Sequence, residues 1–376
     1  MFNKKVGFIA LLFALVTLLV ACGGGDNDES QNDDSSGETS NEESSNGESN
    51  NEETSESKDA GVVNIYTSRH YDVDDEIYSA FTEDTGIEVN VINGSADELI
   101  ERMNREGEAS EADIFFTADA GRLHRAKDQG LLQPIESNTI NENVPENLRD
   151  RDNEWVGLTQ RARIIAYHKE RVDESDLSTY QALAEPEWED RVLIRSSENI
   201  YNQSLLASFI ELNGREDAKA WAEGIVNNLA RSPQGGDRDQ ARAVVAGEGD
   251  VAIMNTYYLG GMLNSDDEEE VEVAEQLGVF FPNQDSTGAH VNVSGAGLAA
   301  NAPNEENAIA LIEHLSSEDV QGQFASANYE YPVNPNVEPA ETLQQWGDFE
   351  TQDINLSTLG ENNAEAVRIF NEVGWK

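Results

Sequence analysis

Three stretches of this chain place phenols where they could act together. Thr67-Ser68-Arg69-His70-Tyr71, Glu198-Asn199-Ile200-Tyr201-Asn202-Gln203 and Asn255-Thr256-Tyr257-Tyr258-Leu259-Gly260 each follow a short apolar run of strand character. Taken singly, each tyrosine is accounted for by packing with a wetted hydroxyl. Several phenols and a histidine in one place instead suit a hard, highly charged cation. Ferric iron prefers anionic oxygen, and a bound cation pulls a coordinated phenol below its usual pKa of about 10. Adjacent tyrosines on an extended strand would face opposite ways. At a strand-to-helix junction, with Leu259-Gly260-Gly261 following, both can converge on one point. A cluster of tyrosinates around Fe³⁺ is over-neutralised, so a guanidinium nearby would balance it. Arg69 and Arg161 are the candidates, although Arg69 also reads as a surface arginine on an acidic protein.

Other constellations carry less. His124 and His168 lie in helix- or strand-like contexts and His314 in an amphipathic helical pattern, and all three read as satisfied surface or core histidines. His290 lies near a crossing between lobes, where a hinge role fits better than ligation. Val293-Ser294-Gly295 lacks the first glycine of a hydrolase nucleophile elbow. Asp266-Asp267-Glu268-Glu269-Glu270 lacks the alternation and turn glycine of a calcium loop and reads as a solvated loop. Gly235-Gly236 lacks the Lys-Ser/Thr of a phosphate-cradling loop.

The elements that must position the phenols alternate. Strand patterns at 61–66, 87–92 and 112–116 enclose helical patterns at 74–85 and 96–105. A second series has strands at 192–194 and 251–254 and helices at 204–212 and 217–228. Such alternation predicts parallel sheets flanked by helices. Residues 155–167, and 277–281 with 290–293, read as crossings between two lobes. In open α/β sheets ligands bind beyond the carboxyl ends of strands, where the tyrosines sit.

The N-terminus reads as an export signal and a tether. Lys4 and Lys5 precede an apolar run that ends in Leu19-Val20-Ala21-Cys22, a secretory signal whose cysteine resembles a bacterial lipobox. Diacylated Cys22 would satisfy the need for two chains in stable anchoring. Residues 23–59 are nearly all Gly, Ser, Asn, Asp and Glu, too polar to bury a core, and would span about 35 Å as a coil.

Net charge is −50, of which −40 falls on residues 60–376. This excludes a generic nucleic-acid binder, and the single cysteine excludes a disulfide framework. With 17 Arg against 7 Lys, the carboxylate-rich surface reads as a halophilic adaptation to salt.

Ser68-Arg69-His70-Tyr71, Pro233-Gln234-Gly235-Gly236-Asp237-Arg238-Asp239-Gln240, Ala252-Ile253-Met254-Asn255-Thr256-Tyr257-Tyr258-Leu259-Gly260 and Gly288-Ala289-His290-Val291-Asn292-Val293-Ser294-Gly295-Ala296-Gly297 together resemble the ferric-iron substrate-binding proteins of ABC importers, FutA-like branch. The resemblance covers about residues 61–376. It implies a two-lobed periplasmic-binding-protein type II fold, α/β, each lobe a mixed, mainly parallel sheet flanked by helices. It also implies Fe³⁺ as transported ligand, held by His70, Tyr71, Tyr201, Tyr257 and Tyr258. With five side-chain ligands no obligatory anion is expected. The expected organisation is a signal peptide over 1–21 and an acylated cysteine with acidic tether over 22–59. The first lobe then covers 60–160 and 281–335, the second 161–280, with C-terminal helices over 336–376 on the second. The expected partners are a permease and its ATPase, with the membrane reached only through the lipid on the outer face, and the chain is expected to be a monomer and not an enzyme. The alternatives are the same fold holding a phosphonate, polyamine or thiamine, and a secreted lipoprotein hydrolase.

Overall fold

The computed structural model describes residues 60–376; the expected signal peptide, Cys22 and the tether lie outside the described residues. The strands are β1 (Val62–Thr67), β2 (Glu88–Asn93), β3 (Ile114–Ala118), β4 (Leu132–Gln133), β5 (Trp155–His168), β6 (Val192–Leu193), β7 (Val251–Asn255), β8 (Leu277–Phe280), β9 (Val291–Ala299) and β10 (Tyr331–Pro332). They follow the order β2-β1-β3-β9-β5-β7-β6, with β4 against β9 and with β8 and β10 against β5. Parallel pairing is confined to β1 with β2 and β3, and β6 with β7. Every pair made by β5 or β9 is antiparallel. The sheet is therefore mixed, as expected, but not mainly parallel: among the described residues three strand pairs are parallel and six antiparallel, and the parallel ones lie at the outer positions. There helical crossovers return the chain in the same direction, whereas β5 leaves one lobe and β9 comes back to it.

β5 joins the lobes. Trp155 through Ala162 pair with β9, and Arg163 through Tyr167 pair with β7. In this second half successive side chains alternate between faces. Ile165, Val251 and Ile253 enter one hydrophobic cluster, and Ile164, Ala166, Ala252 and Met254 enter another. A third cluster gathers β1, β3, the first half of β5 and β9 with the helices Asp72–Thr85, Ala96–Glu106 and Glu305–Leu315. Residues 336–376, expected on the second lobe, divide in the structure. Leu356 and Leu359 join the first-lobe cluster, while Ala366, Ile369, Phe370 and Trp375 pack into the second.

Local chemistry sets the helix ends. Asp72, Asp74 and Asp75 complement the positive end of Asp72–Thr85, and Gly86 closes it in the left-handed conformation at φ 75°. Ser95 and Glu98 form a capping box on Ala96–Glu106. The acidic run at 266–270 corrects an expectation: it opens the helix Glu268–Glu275, and Glu270 is buried there against Arg238 and Arg242. Two guanidiniums make that burial tolerable, and they stand far from it in sequence. Among the described residues no helix is long and apolar enough to cross a membrane.

Candidate metal centre

The strand ends deliver the phenols to one cleft. Tyr71 stands at the N-cap of Asp72–Thr85, just beyond β1. Tyr201 belongs to the first turn of the helix Ile200–Asn213, which starts four residues earlier than the periodicity suggests because Asn199 caps it, accepting from Tyr201 N–H at 3.0 Å. Tyr257 and Tyr258 occupy the first turn of Thr256–Leu263, directly after β7. These four tyrosines and His70 line one cavity of about 670 Å³.

Within it the second-lobe phenols are already gathered. Tyr201 Oη and Tyr257 Oη share a hydrogen bond of 3.2 Å, and the rings of Tyr257 and Tyr258 lie 4.2 Å apart. His70 stacks on Tyr71 at 5.6 Å and is exposed. Among the described residues no three His, Cys, Asp or Glu side chains gather as a metal cage; the oxygens on this wall include those of the four phenols together with Ser68, Ser294 and Glu330.

Burial, then the Glu330 charge, pushes the Tyr71 phenol well up. Burial, then its neighbours Tyr201 and Tyr258, does the same to Tyr257. Tyr258 is pushed up to about 12 by burial and the nearby Tyr201. These three phenols are therefore neutral at pH 7 while the cleft is empty, and a cation binding there must displace their protons.

The arginines divide the work. Arg69 is no surface group: it is buried, pairs with Asp74 at 2.8 Å and Glu330 at 3.4 Å, and lies 4.8 Å over the Tyr71 ring. Arg161 is 2 % exposed, donates to Ser294 at 3.3 Å and lies 5.5 Å from the Tyr201 ring. Sequence reasoning missed Arg195, which lies 5.5 Å from the same ring and 3.6 Å from Asp237. Its signal was the one used for the tyrosines, a polar residue just past a strand (β6). Also missed were Arg122, Arg238 and Glu330 on the cleft wall. Ser294, considered as a nucleophile, instead takes the bond from Arg161 and donates to Glu330 at 3.4 Å.

The remaining histidines stay out of the cleft. His290 is buried beside the hinge, its N–H donating to Tyr180 Oη and its Nδ1 to Gln352 Oε1, both at 3.1 Å. His168 Nδ1 accepts from Glu170 N–H, and the His314 ring packs on Phe81.

A model of bacterial extracellular solute-binding proteins matches residues 109–352. The chain belongs to that family. Iron uptake protein A1 of Synechocystis sp. is 49 % identical to this solute-binding protein over 314 residues, spanning 84 % of this chain and 87 % of its own. The structure of Trichodesmium FutA (IdiA) in complex with iron and citrate ligands superposes with a TM-score of 0.82 at 49 % identity, over 84 % of this chain and all of that one. A ferric binding protein from Campylobacter jejuni superposes at 0.79 with 45 % identity, again over 84 % of this chain and all of that one. The family consists of solute-binding proteins and not enzymes, which removes the hydrolase alternative.

Proposed function

We propose that this solute-binding protein captures ferric iron between its lobes and hands it to an ABC importer. The observation that carries the reading is the convergence of Tyr71, Tyr201, Tyr257 and Tyr258 with His70 on one cavity. An iron uptake protein and a structure in complex with iron and citrate, each at 49 % identity, support it. The first lobe offers His70 and Tyr71, the second Tyr201, Tyr257 and Tyr258. Closure about β5 and β9 completes the coordination and excludes water. Arg161 counters charge at the phenolates, and Arg69 holds Tyr71 in place. Docking on a permease, driven by its ATPase, would reopen the lobes, and the receptor acts as a monomer.

The test is optical. Protein lacking residues 1–59 should colour with ferric salt through a tyrosinate-to-iron charge-transfer band. Tyr257→Phe/Tyr258→Phe should remove the band and leave the circular dichroism unchanged; an unaltered band in that variant refutes the ligand set. Five side-chain donors make an added anion unnecessary, so the loaded spectrum should be the same whether citrate or nitrilotriacetate delivers the iron.

Placement outside the cytoplasmic membrane follows the family. Anchoring there rests on Cys22: Cys22→Ala should release the protein from membranes and end palmitate incorporation. The acidic surface, read as salt adaptation, should give a melting temperature that rises with KCl.

A further inference from the structure

Behind the phenols, off the cavity lining, one side chain reaches the first helix that carries them and the N-cap of the second. Arg163 is 2 % exposed and sits where β5 changes partners: Ala162 is its last residue paired with β9, and Arg163 is the first paired with β7. Its backbone N–H donates to His290 O at 2.9 Å, so the residue is built into the crossing itself.

The guanidinium points three ways. Nη2 donates to Asn202 Oδ1 at 2.7 Å. Nη1 donates to Asp237 Oδ2 at 3.0 Å and to Asn255 Oδ1 at 3.4 Å. Asn202 is the residue after Tyr201, and its amide ties onward to Arg195 O at 2.8 Å and Ser196 O at 3.1 Å. Asn255 stands two residues before Tyr257, and its N–H donates to the same Asp237 Oδ2 at 2.8 Å. Asp237, Asn202 and Asn255 are as buried as Arg163, and none of the four lines the cavity.

We infer that Arg163, with Asp237, is a positioning residue for iron capture: a single buried guanidinium on the hinge strand fixes the first turns of Ile200–Asn213 and Thr256–Leu263, and so the spacing of Tyr201 from Tyr257 and Tyr258. The inference rests on the ferric reading above. A planar fork can serve three acceptors at fixed angles, whereas the point charge of a lysine cannot. Partners one step behind a metal ligand commonly change metal affinity 10–100-fold. The placement at the crossing also links phenol spacing to the strand about which the lobes move.

The experiment uses the full chain loaded from ferric nitrilotriacetate, reading the visible band and the rate of iron loss to excess EDTA. Arg163→Lys should shift the band and speed iron loss at least about tenfold. Asn202→Ala, which frees only the Tyr201 helix, should move both readouts part of the way. Arg215→Ala, which breaks surface pairs with Glu365 and Glu372 on the same lobe and touches none of the cavity residues, should match the wild type in both even if its melting temperature falls. If Arg163→Lys does not fold, Asn202→Ala decides. Folded variants with the wild-type band and rate overturn the inference while leaving the ferric reading intact. A wild type that shows no band overturns the ferric reading itself.

Discussion

The two halves of the cleft are built differently. In the second lobe three phenols sit on the first turns of two helices, joined by the hydrogen bond between Tyr201 and Tyr257 and backed by Arg163, Asp237 and Arg195. In the first lobe His70 and Tyr71 stand on a short link between β1 and a helix, with His70 exposed and Tyr71 held mainly by Arg69. One half is thus arranged before any cation arrives. The other presents an exposed imidazole and one phenol.

That contrast can be broken by comparing ligand losses. Tyr257→Phe/Tyr258→Phe should lower iron affinity more than about a thousandfold, well past the 10–100-fold typical of outer partners, and His70→Ala/Tyr71→Phe about a hundredfold. Competition against a chelator of known stability measures both, and equal losses would mean that the halves are equivalent.

Acid should come next in size. Because Tyr71, Tyr257 and Tyr258 are pushed up by burial, each is protonated when free and would have to lose its proton to serve as a metal ligand. Binding then releases protons, so affinity falls as pH falls, by up to about tenfold per phenol per pH unit. Proton release on loading, measured in weakly buffered solution, should approach one per phenol at pH 7.

A sharper test of the first lobe removes its support. Arg69→Met leaves Asp74 and Glu330 buried without their counter-ion and should cost about 3–5 kcal/mol in urea unfolding. Arg125→Ala on the same lobe breaks an exposed pair with Asp97 and should cost under about 1 kcal/mol.

A last effect concerns the hinge. Burial lowers His290 to about 3, so the folded state keeps it neutral while the unfolded chain takes up a proton below about 6.5. A depressed pKa means stability present above 6.5 and lost as pH falls toward 3, worth about 2 kcal/mol by pH 5. His290→Gln should flatten the fall in melting temperature between pH 7 and 5.

The phenols were legible because the cues are local: a β-branched run, a tyrosine at its end and a helix start are neighbours in sequence. The resemblance added the grouping. What stands behind them was not legible. Arg163 meets Asp237 and Asn255 across 74 and 92 residues, and no periodicity reports such pairing. Apolar periodicity starts the Tyr201 helix at 204 because it carries no signal for the polar cap Asn199, which opens it at Ile200. The acidic run misled for a similar reason: the arginines that neutralise Glu270 lie 32 and 28 residues away.

The return of β9 to the middle of the first lobe bears on how the chain is made and exported. β9 lies between β3 and β5, so that lobe lacks a central strand until residue 299 has emerged. Most of the second lobe's sheet and core lies between Arg163 and Phe281. During threading from the amino end, the half that carries three of the phenols can therefore consolidate first, while the half that starts the sequence waits for its keystone.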